Sequence, residues 1–372
     1  MDDGEQSLSP QPLPGATPGT TPGTSPKTRS RRRQVVQAVV SLAIVVAVFV
    51  GVLPQVADFS KVWAAIRDMT GLELLTLAVV ALWNLTTYWW VQMASLPGMT
   101  VQQAMILTLS STAISNTVPA GSAVGIGVSA TMLRSWGFRR SLVTLAILVS
   151  GIWNNLAKLV LPVVALVALA LQGRASAGRV VAAALGIGAL VGCVVVFALM
   201  LRSERAAARL GLVSQRAANA VLRLLRRPPT HGWEIATTRF REKTIDLLRH
   251  RWAALTVTTL VSHLSLYAVL LLALRHVGVS ERDISWAEVL AVFAFVRLLS
   301  AIPLTPGGLG VVELALTAGL VAAGGPKAEV VAAILVYRAL TYLLPVPLGV
   351  LTYGWWRRTA VRREVAPSLE TA

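Results

Sequence analysis

The fold is decided by a break in apolar sequence that runs from Ile302 to Glu313 and reads IPLTPGGLGVVE. Proline removes a backbone donor and glycine loosens the backbone, so a continuous helix is not expected here. A second break, NTVPAG, runs from Asn116 to Gly121 and is also enclosed by apolar sequence. Non-helical backbone is tolerated at membrane depth only where protein or water covers it. The two breaks therefore predict a protein-lined cavity or re-entrant helices inside a membrane protein.

The composition of the chain supports a membrane protein. Of its 372 residues, 55% are hydrophobic and 14% are charged, and the mean hydropathy is +0.66. A typical soluble chain has about 25% charged residues. These values exclude an ordinary soluble globule.

The net charge of +17 would also suit a nucleic-acid binder, but the positions of the basic residues argue against one. Of 34 Lys and Arg residues, 24 lie in four blocks, which are 27–33, 134–140, 202–251 and 357–363. Basic blocks that separate nearly uncharged apolar runs are typical of cytoplasmic loops. We therefore predict a multi-pass protein of the inner cell membrane with both termini in the cytoplasm and no nucleic-acid partner.

The apolar runs predict an all-α, polytopic transmembrane bundle of about eight spans plus re-entrant broken helices. The runs are 35–53, 72–94, 101–133 with its interruption, 142–171, 180–201, 253–274, 286–302, 309–323 and 330–356. The segments that precede the two breaks are predicted to begin on opposite sides of the membrane. An inverted repeat is therefore a hypothesis.

Five regions follow from these patterns. We expect a disordered cytoplasmic tail at 1–33, a transmembrane half at 34–201, a basic amphipathic cytoplasmic segment at 202–251, a second transmembrane half at 252–356 and a cytoplasmic tail at 357–372. The basic segment either contacts anionic lipid headgroups or is a solvated connector, and the sequence leaves both interpretations open.

Four charged residues lie deep in apolar sequence: Lys158, Arg297, Glu313 and Arg338. A charge near the middle of a span costs about 2.5 to 3.5 kcal/mol, so these side chains are expected to face the protein interior. Glu313 is expected about two turns into its helix, paired with Arg297 or Arg338. The surplus of positive charge would then meet an anionic group, unless Lys158 and Arg297 extend to the membrane interface.

No metal site and no cofactor are predicted. Cys193 is the only cysteine, and the four histidines lack the spacing of paired metal ligands. No nucleotide-binding motif is found, so any coupling energy would come from an ion gradient, a partner or the lipid gradient. The sequence favours a transporter-like protein over an enzyme and leaves enzymatic activity open.

Two stretches resemble a known family. RLLSAIPLTPGGLGVVE at 297–313 and YRALTYLLPVPLG at 337–349 are similar to the transmembrane flippase-like domain of the lysylphosphatidylglycerol synthase family. The resemblance covers roughly 35–356 and implies movement of a charged phospholipid between leaflets. It also implies that Pro306, Gly307, Gly308, Gly310, Glu313 and Arg338 are positions shared with the family.

The chain departs from that family's pattern in two places. Many members carry a Gly-Glu-x-x-Arg element after the first break, whereas this chain has GIGVS at 125–129. Only 16 residues follow Trp356, so the soluble aminoacyl-transferase domain of full-length synthases is not expected.

We therefore predict a flippase-like protein that translocates or binds an anionic or aminoacylated phospholipid, with membrane phospholipids as its partners. The candidate substrate-binding residues are Asn116, Pro119, Gly121, Asn154, Lys158, Arg297, Pro306, Gly307, Gly308, Gly310, Glu313, Tyr337 and Arg338. Two alternatives stay open. One is an intramembrane enzyme acting on a lipid-linked substrate, with Glu313 and His263 as its acid and base, and the other is a non-transporting scaffold.

Overall fold

A computed structural model describes residues 63–64, 66–118, 121–173, 177–224, 228–300 and 306–365. The all-α prediction is confirmed over these residues, which contain no strand. The α-helices are α1 (Gly71–Ser95), α2 (Val101–Thr117), α3 (Gly121–Ser135), α4 (Arg140–Leu171), α5 (Ala177–Arg202), α6 (Glu204–Leu224), α7 (Trp233–His276), α8 (Trp286–Leu299), α9 (Val311–Ala322), α10 (Lys327–Arg338) and α11 (Pro345–Val365). A 3₁₀ turn covers Pro306–Gly308, and a π-helical turn covers Ala339–Leu343.

The starts of three helices are determined by local side-chain chemistry. Thr70, Thr100 and Ser285 each cap a helix and accept a hydrogen bond from the backbone N–H three residues later. The side chain at that later position, Glu73, Gln103 or Glu288, accepts one in return from the capping residue's N–H. This reciprocal pairing satisfies backbone donors that have no partner inside α1, α2 and α8.

Four stretches of helix in the described part of the chain are long and apolar enough to cross a membrane: Gly71–Ser95, Arg140–Leu171, Trp233–His276 and Lys327–Thr359. They match four of the predicted apolar runs and support a multi-pass membrane protein. The first predicted span, at 35–53, and the tail at 1–33 lie outside the described residues. The total of about eight spans stays a prediction.

The first broken segment folds back on itself. Helices α2 and α3 contain 17 and 15 residues, about 25 and 22 Å of helix, which is less than the ~30 Å hydrocarbon core. Helix α2 follows the end of α1 and α3 ends just before α4 begins. We call this side of the bundle the basic end, because the exposed Arg134, Arg139 and Arg140 lie here. Helices α2 and α3 therefore enter and leave at the basic end.

The second broken segment folds back from the opposite end. Helix α7 ends at His276, whose ring approaches the Glu73 carboxylate at the start of α1, with 3.8 Å between Nδ1 and Oε1. Helix α8 begins nearby, and α9 returns to Gly324, where a Cβ would lie 3.0 Å from the Asp283 carbonyl. We call this side the far end. Helices α8 and α9 therefore form a second hairpin that enters and leaves at the far end.

Helices α10 and α11 form one bent crossing that joins the two ends. Pro345 cannot donate a backbone hydrogen bond, and the preceding turn widens so that Leu344 N–H reaches the Ala339 carbonyl at 2.8 Å. Near the basic end, the indole N–H of Trp356 donates a 3.0 Å hydrogen bond to Ser135 Oγ on α3. The bend lies beside the tips of both hairpins and positions the residues described below.

The basic segment forms a helical pair outside the apolar bundle. Helix α6 confirms the predicted helix before Pro228 and packs along the first part of α7. The Gln215 side chain accepts a 3.1 Å hydrogen bond from Trp233 N–H. With 44 residues, α7 is about 66 Å long, more than twice the ~30 Å core, so much of it extends beyond a bilayer. Contact of α6 with headgroups stays a prediction.

Candidate functional site

A cavity of about 610 Å³ lies between the tips of the two hairpins and the bend between α10 and α11. It brings together residues from α1, α2, α3, α4, α7, α8, α9 and α10. Eight of the predicted site residues line it: Asn116, Asn154, Lys158, Arg297, Gly307, Gly308, Tyr337 and Arg338. Residues separated by more than two hundred positions in the chain therefore share one polar chamber inside the bundle.

Arg338 is the best-connected residue of this central cavity. Its Nε donates a 2.6 Å hydrogen bond to Glu313 Oε1 on α9, and its Nη2 donates a 3.3 Å hydrogen bond to the Gly307 carbonyl. Its guanidinium carbon also lies 4.3 Å from the centre of the Tyr342 ring, as in a cation–π contact. One side chain thus holds the second break against the bend.

The first break is attached to the same bend through Tyr342. The Tyr342 hydroxyl donates a 2.6 Å hydrogen bond to the Asn116 carbonyl, and Asn116 Nδ2 donates a 3.3 Å hydrogen bond to the Tyr342 carbonyl. Gly307 lies against the same ring, because a Cβ added to it would overlap Tyr342 Cε2. The tips of both hairpins therefore meet at Tyr342.

The glycines of the second break have backbone conformations that other residues rarely adopt. Gly307, Gly308 and Gly310 have φ values of 57°, 70° and 79°. L-residues pay about 1 to 2 kcal/mol in this left-handed region, whereas glycine does not. The glycine-rich sequence therefore permits the sharp turn that leads into α9.

Lys158 and Arg297 give the cavity its excess charge. Both line it, and within the described residues neither forms an ion pair. The Nε atom of Arg297 is buried and has no hydrogen-bond partner among the described residues. Arg338 is neutralised by Glu313, so the described part of the cavity wall carries two positive charges without a counter-ion.

The predicted position of Glu313 within its helix was wrong. Helix α9 begins at Val311, so Glu313 lies in the first turn rather than two turns in. The glycine conformations at 307, 308 and 310 delay the start of the helix. Glu313 is 4% exposed, and its Oε1 pairs with Arg338, which is one of the two partners predicted from the sequence. Its Oε2 has no partner in the described part of the chain.

The remaining predicted site residues do not line the cavity: three lie in the helices and turns around it, and one lies outside the residues that the structure describes. Gly121 packs against the Ser115 backbone, and Gly310 caps α9, so both shape the hairpins without lining the cavity. Pro306 begins the 3₁₀ turn, and Pro119 lies outside the described residues.

Several lining residues were not predicted from the sequence, among them Tyr88, Thr112, Ser122, Thr341 and Tyr342. A single serine or threonine gives no signal within an apolar run. A set of them does, because Thr108, Ser111, Thr112 and Ser115 recur at the i, i+3, i+4, i+7 spacing of one helix face. That spacing could have identified this face of α2.

The two groups suggested for acid–base catalysis are not arranged for it. His263 is buried and absent from the cavity lining, and its Nδ1 lies 3.0 Å from the Thr259 carbonyl of its own helix. Glu313 is held by Arg338. Within the described residues, no three His, Cys, Asp or Glu side chains come together in a way that could hold a metal ion.

Comparison with known proteins agrees with this architecture. A search of curated proteins finds no match. A comparison with protein-family profiles matches residues 38–349 to the lysylphosphatidylglycerol synthase TM region. This match includes both hairpins, the bend and every residue of the cavity. The chain therefore belongs to the family of the lysylphosphatidylglycerol synthase transmembrane region.

Proposed function

We propose that this protein is a flippase-like membrane protein that binds the anionic headgroup of a phospholipid in the central cavity and passes it between leaflets. The observation that carries the proposal is the pair of unpaired cations, Lys158 and Arg297, in a polar cavity inside an apolar bundle. A buried charge without a counter-ion is costly, and a phosphate would offset that cost.

The cavity supplies hydrogen bonds as well as charge. Asn154 and Asn155 line it beside the two cations, and their amide groups can donate to phosphate oxygens or to a glycerol headgroup, although Asn155 Nδ2 already donates one hydrogen bond to the Gly151 carbonyl. The acyl tails would remain in the bilayer while the headgroup crosses. An aminoacylated phospholipid also carries the phosphate that the cations would contact.

The two hairpins give the proposal a two-sided geometry. One enters from the basic end and the other from the far end, and they meet beside the cavity, as in transporters built from inverted repeats. By the positive-inside rule we assign the basic end and both termini to the cytoplasm. A headgroup could then reach the same cations from either leaflet.

An intramembrane enzyme is less well supported. General acid–base catalysis needs its groups within hydrogen-bond reach of the substrate. Glu313 is engaged by Arg338 and His263 does not line the cavity, so neither of the two suggested groups is positioned to act on a bound headgroup.

Transport in reconstituted vesicles tests the proposal. Fluorescent phosphatidylglycerol and phosphatidylcholine analogues would be placed in both leaflets, and an impermeant quencher would report their movement. We expect phosphatidylglycerol to move faster than in protein-free vesicles. We expect Lys158→Gln with Arg297→Gln to slow it at least about tenfold, since a hydrogen bond to a charged group contributes about 1.5 to 3 kcal/mol.

Arg209→Gln provides the matched control, because it removes one exposed positive charge on α6, outside the cavity. Phosphatidylglycerol movement no faster than in protein-free vesicles would overturn the proposal. So would equal rates for the wild type and the cavity variant.

A further inference from the structure

A second cavity continues from the first toward the basic end. This groove of about 380 Å³ lies between α1, α2, α3 and α4. It shares five lining residues with the central cavity: Tyr88, Thr112, Ser122, Ile126 and Asn154. The two spaces therefore adjoin each other.

Hydroxyl groups from two helices contribute to the otherwise largely apolar lining of the groove. Thr108, Ser111, Thr112 and Ser115 contribute from α2, and Ser122 and Ser129 contribute from α3. We call this space the hydroxyl groove. It lies inside the bundle, where a polar side chain without a partner is costly.

Most of these hydroxyls have no hydrogen-bond partner among the residues that the structure describes. Thr108 is 7% exposed, and its Oγ1 is buried without a partner. Within the described residues, the side chains of Thr112, Ser115, Ser122 and Ser129 form no hydrogen bond either, whereas Ser111 Oγ donates to the Thr108 carbonyl. The unused O–H groups are donors suited to an anion.

The groove has an apolar lining at the basic end. Leu96, Met99 and Leu133 line it there, each is buried, and they pack together in one apolar cluster. Leu133 directly precedes the exposed Arg134. These three buried side chains lie between the hydroxyls of the groove and the basic end.

We infer that the hydroxyl groove is the route by which a phosphate-bearing headgroup passes between the central cavity and the basic end, with Leu96, Met99 and Leu133 as its gate. The inference rests on the proposed function. The hydroxyls are uncharged donors, so their hydrogen bonds to the phosphate lack the ion-pair attraction that Lys158 and Arg297 add, and the headgroup can move on toward these two cations.

Single-cysteine labelling tests the route without requiring transport. Ser111→Cys and Ser129→Cys would be made in a Cys193→Ala background and treated in vesicles with an impermeant thiol reagent. Leu148→Cys is the matched control, since this exposed apolar side chain of α4 is not part of the groove. Ser141→Cys and Arg282→Cys mark the basic and far ends.

We expect the groove variants to react from the same side as Ser141→Cys, at least about tenfold faster than Leu148→Cys, because a thiol in apolar surroundings ionises poorly. If the closed gate prevents labelling of Ser111→Cys and Ser129→Cys, we expect the same result once Met99→Ala is added to each of them. Labelling from the Arg282→Cys side alone would overturn the inference. Labelling no faster than that of Leu148→Cys, with Met99→Ala present, would also overturn it.

Protection identifies the ligand. Short-chain phosphatidylglycerol should slow the labelling of Ser129→Cys, and slowing by inorganic phosphate as well would show that phosphate alone is recognised. Protection by neither would overturn the headgroup route. A failure of lipid movement with groove labelling intact would instead count against the proposed function alone.

Discussion

The phenol hydroxyl of Tyr342 donates a 2.6 Å hydrogen bond to the backbone carbonyl of Asn116, 226 positions earlier in the chain. This contact joins the tip of the hairpin from the basic end to the bend that also holds the hairpin from the far end. If one hairpin moved relative to the other, this hydrogen bond would have to break, or the bend would have to move together with Asn116. It is therefore a structural tie between the two halves of the bundle.

Tyr342→Phe should lower the free energy of unfolding by about 1 kcal/mol, because the Asn116 carbonyl loses its partner while the aromatic ring stays in place. Thermal unfolding of the detergent-solubilised protein would measure the loss. Tyr353→Phe is the control, since the Tyr353 ring contacts the Trp356 ring in a tilted arrangement, 5.5 Å between centroids, and its hydroxyl forms no hydrogen bond within the described residues. Equal melting temperatures for the two variants would contradict the prediction.

The ion pair between Glu313 and Arg338 should contribute far more to stability than an exposed pair. The two side chains are 5% and 14% exposed, and removing one partner leaves the other charge buried. Glu313→Gln is expected to cost about 3 to 5 kcal/mol in thermal unfolding. Adding Arg338→Met should recover part of that loss, because no uncompensated charge then remains.

The pair between Arg275 and Glu281 provides the comparison for that experiment. Its side chains are 24% and 55% exposed, so Glu281→Gln should cost less than about 1 kcal/mol. A loss for Glu313→Gln no larger than this would show that the buried pair is not required for the fold.

Gly307→Ala should destabilise the protein for two reasons. The position has a φ of 57°, which costs an alanine about 1 to 2 kcal/mol, and the new methyl group overlaps the Tyr342 ring. Gly127→Ala is the control, because no atom lies within 4 Å of a Cβ there and alanine favours the helix. Combining Gly307→Ala with Tyr342→Ala should cost less than the sum of the single changes; full additivity would argue against the overlap.

Much of the bundle was predictable because proline and glycine change the backbone locally. The breaks at Pro119 and Pro306 predicted interrupted helices from sequence alone, and the charge at Glu313 predicted a pairing with an arginine. Four apolar runs were also predictable as long helices, because the hydropathy of a run is a local property that does not depend on which segments pack beside it.

The rest could not be predicted because it depends on contacts between distant segments. Tyr342 meets Asn116 through a backbone carbonyl, which every residue has, so neither residue type indicates the other. The sequence predicts a helix that begins before Val311, because it does not give the φ values of Gly308 and Gly310 that delay the start of α9. Whether the two cavities adjoin likewise depends on how α3 packs on α2 and α4.

The loop at the far end should show a pH dependence through Asp283. Ser280 donates hydrogen bonds from both N–H and Oγ to Asp283 Oδ2, at 2.8 and 2.7 Å, and these lower the pKa of Asp283 from its ordinary value of 3.8. A lowered pKa in the folded state adds stability above pH 3.8, which is lost as the pH falls through the folded value.

Asp283→Asn should therefore speed amide hydrogen exchange of the loop 279–285 at neutral pH. The difference from wild type should shrink as the pH falls below 3.8, where the wild-type carboxylate becomes protonated. Arg282→Gln in the same loop is the control, because its side chain forms no hydrogen bond in the described structure. A difference that stays constant at all pH values would contradict this account.

Lys158→Gln should change stability and lipid binding in opposite directions. The side chain is buried in a membrane-spanning helix without a counter-ion in the described residues, and a central charge costs about 2.5 to 3.5 kcal/mol. Removing the charge should therefore raise the melting temperature of the delipidated protein. The same change should reduce the anionic phospholipid that co-purifies with the protein, measured by mass spectrometry, because the cavity loses one of its two unpaired cations. Lys327→Gln, an exposed charge at the start of α10, should alter neither quantity. A variant that is less stable and retains its lipid would show that Lys158 supports the fold and does not bind the headgroup.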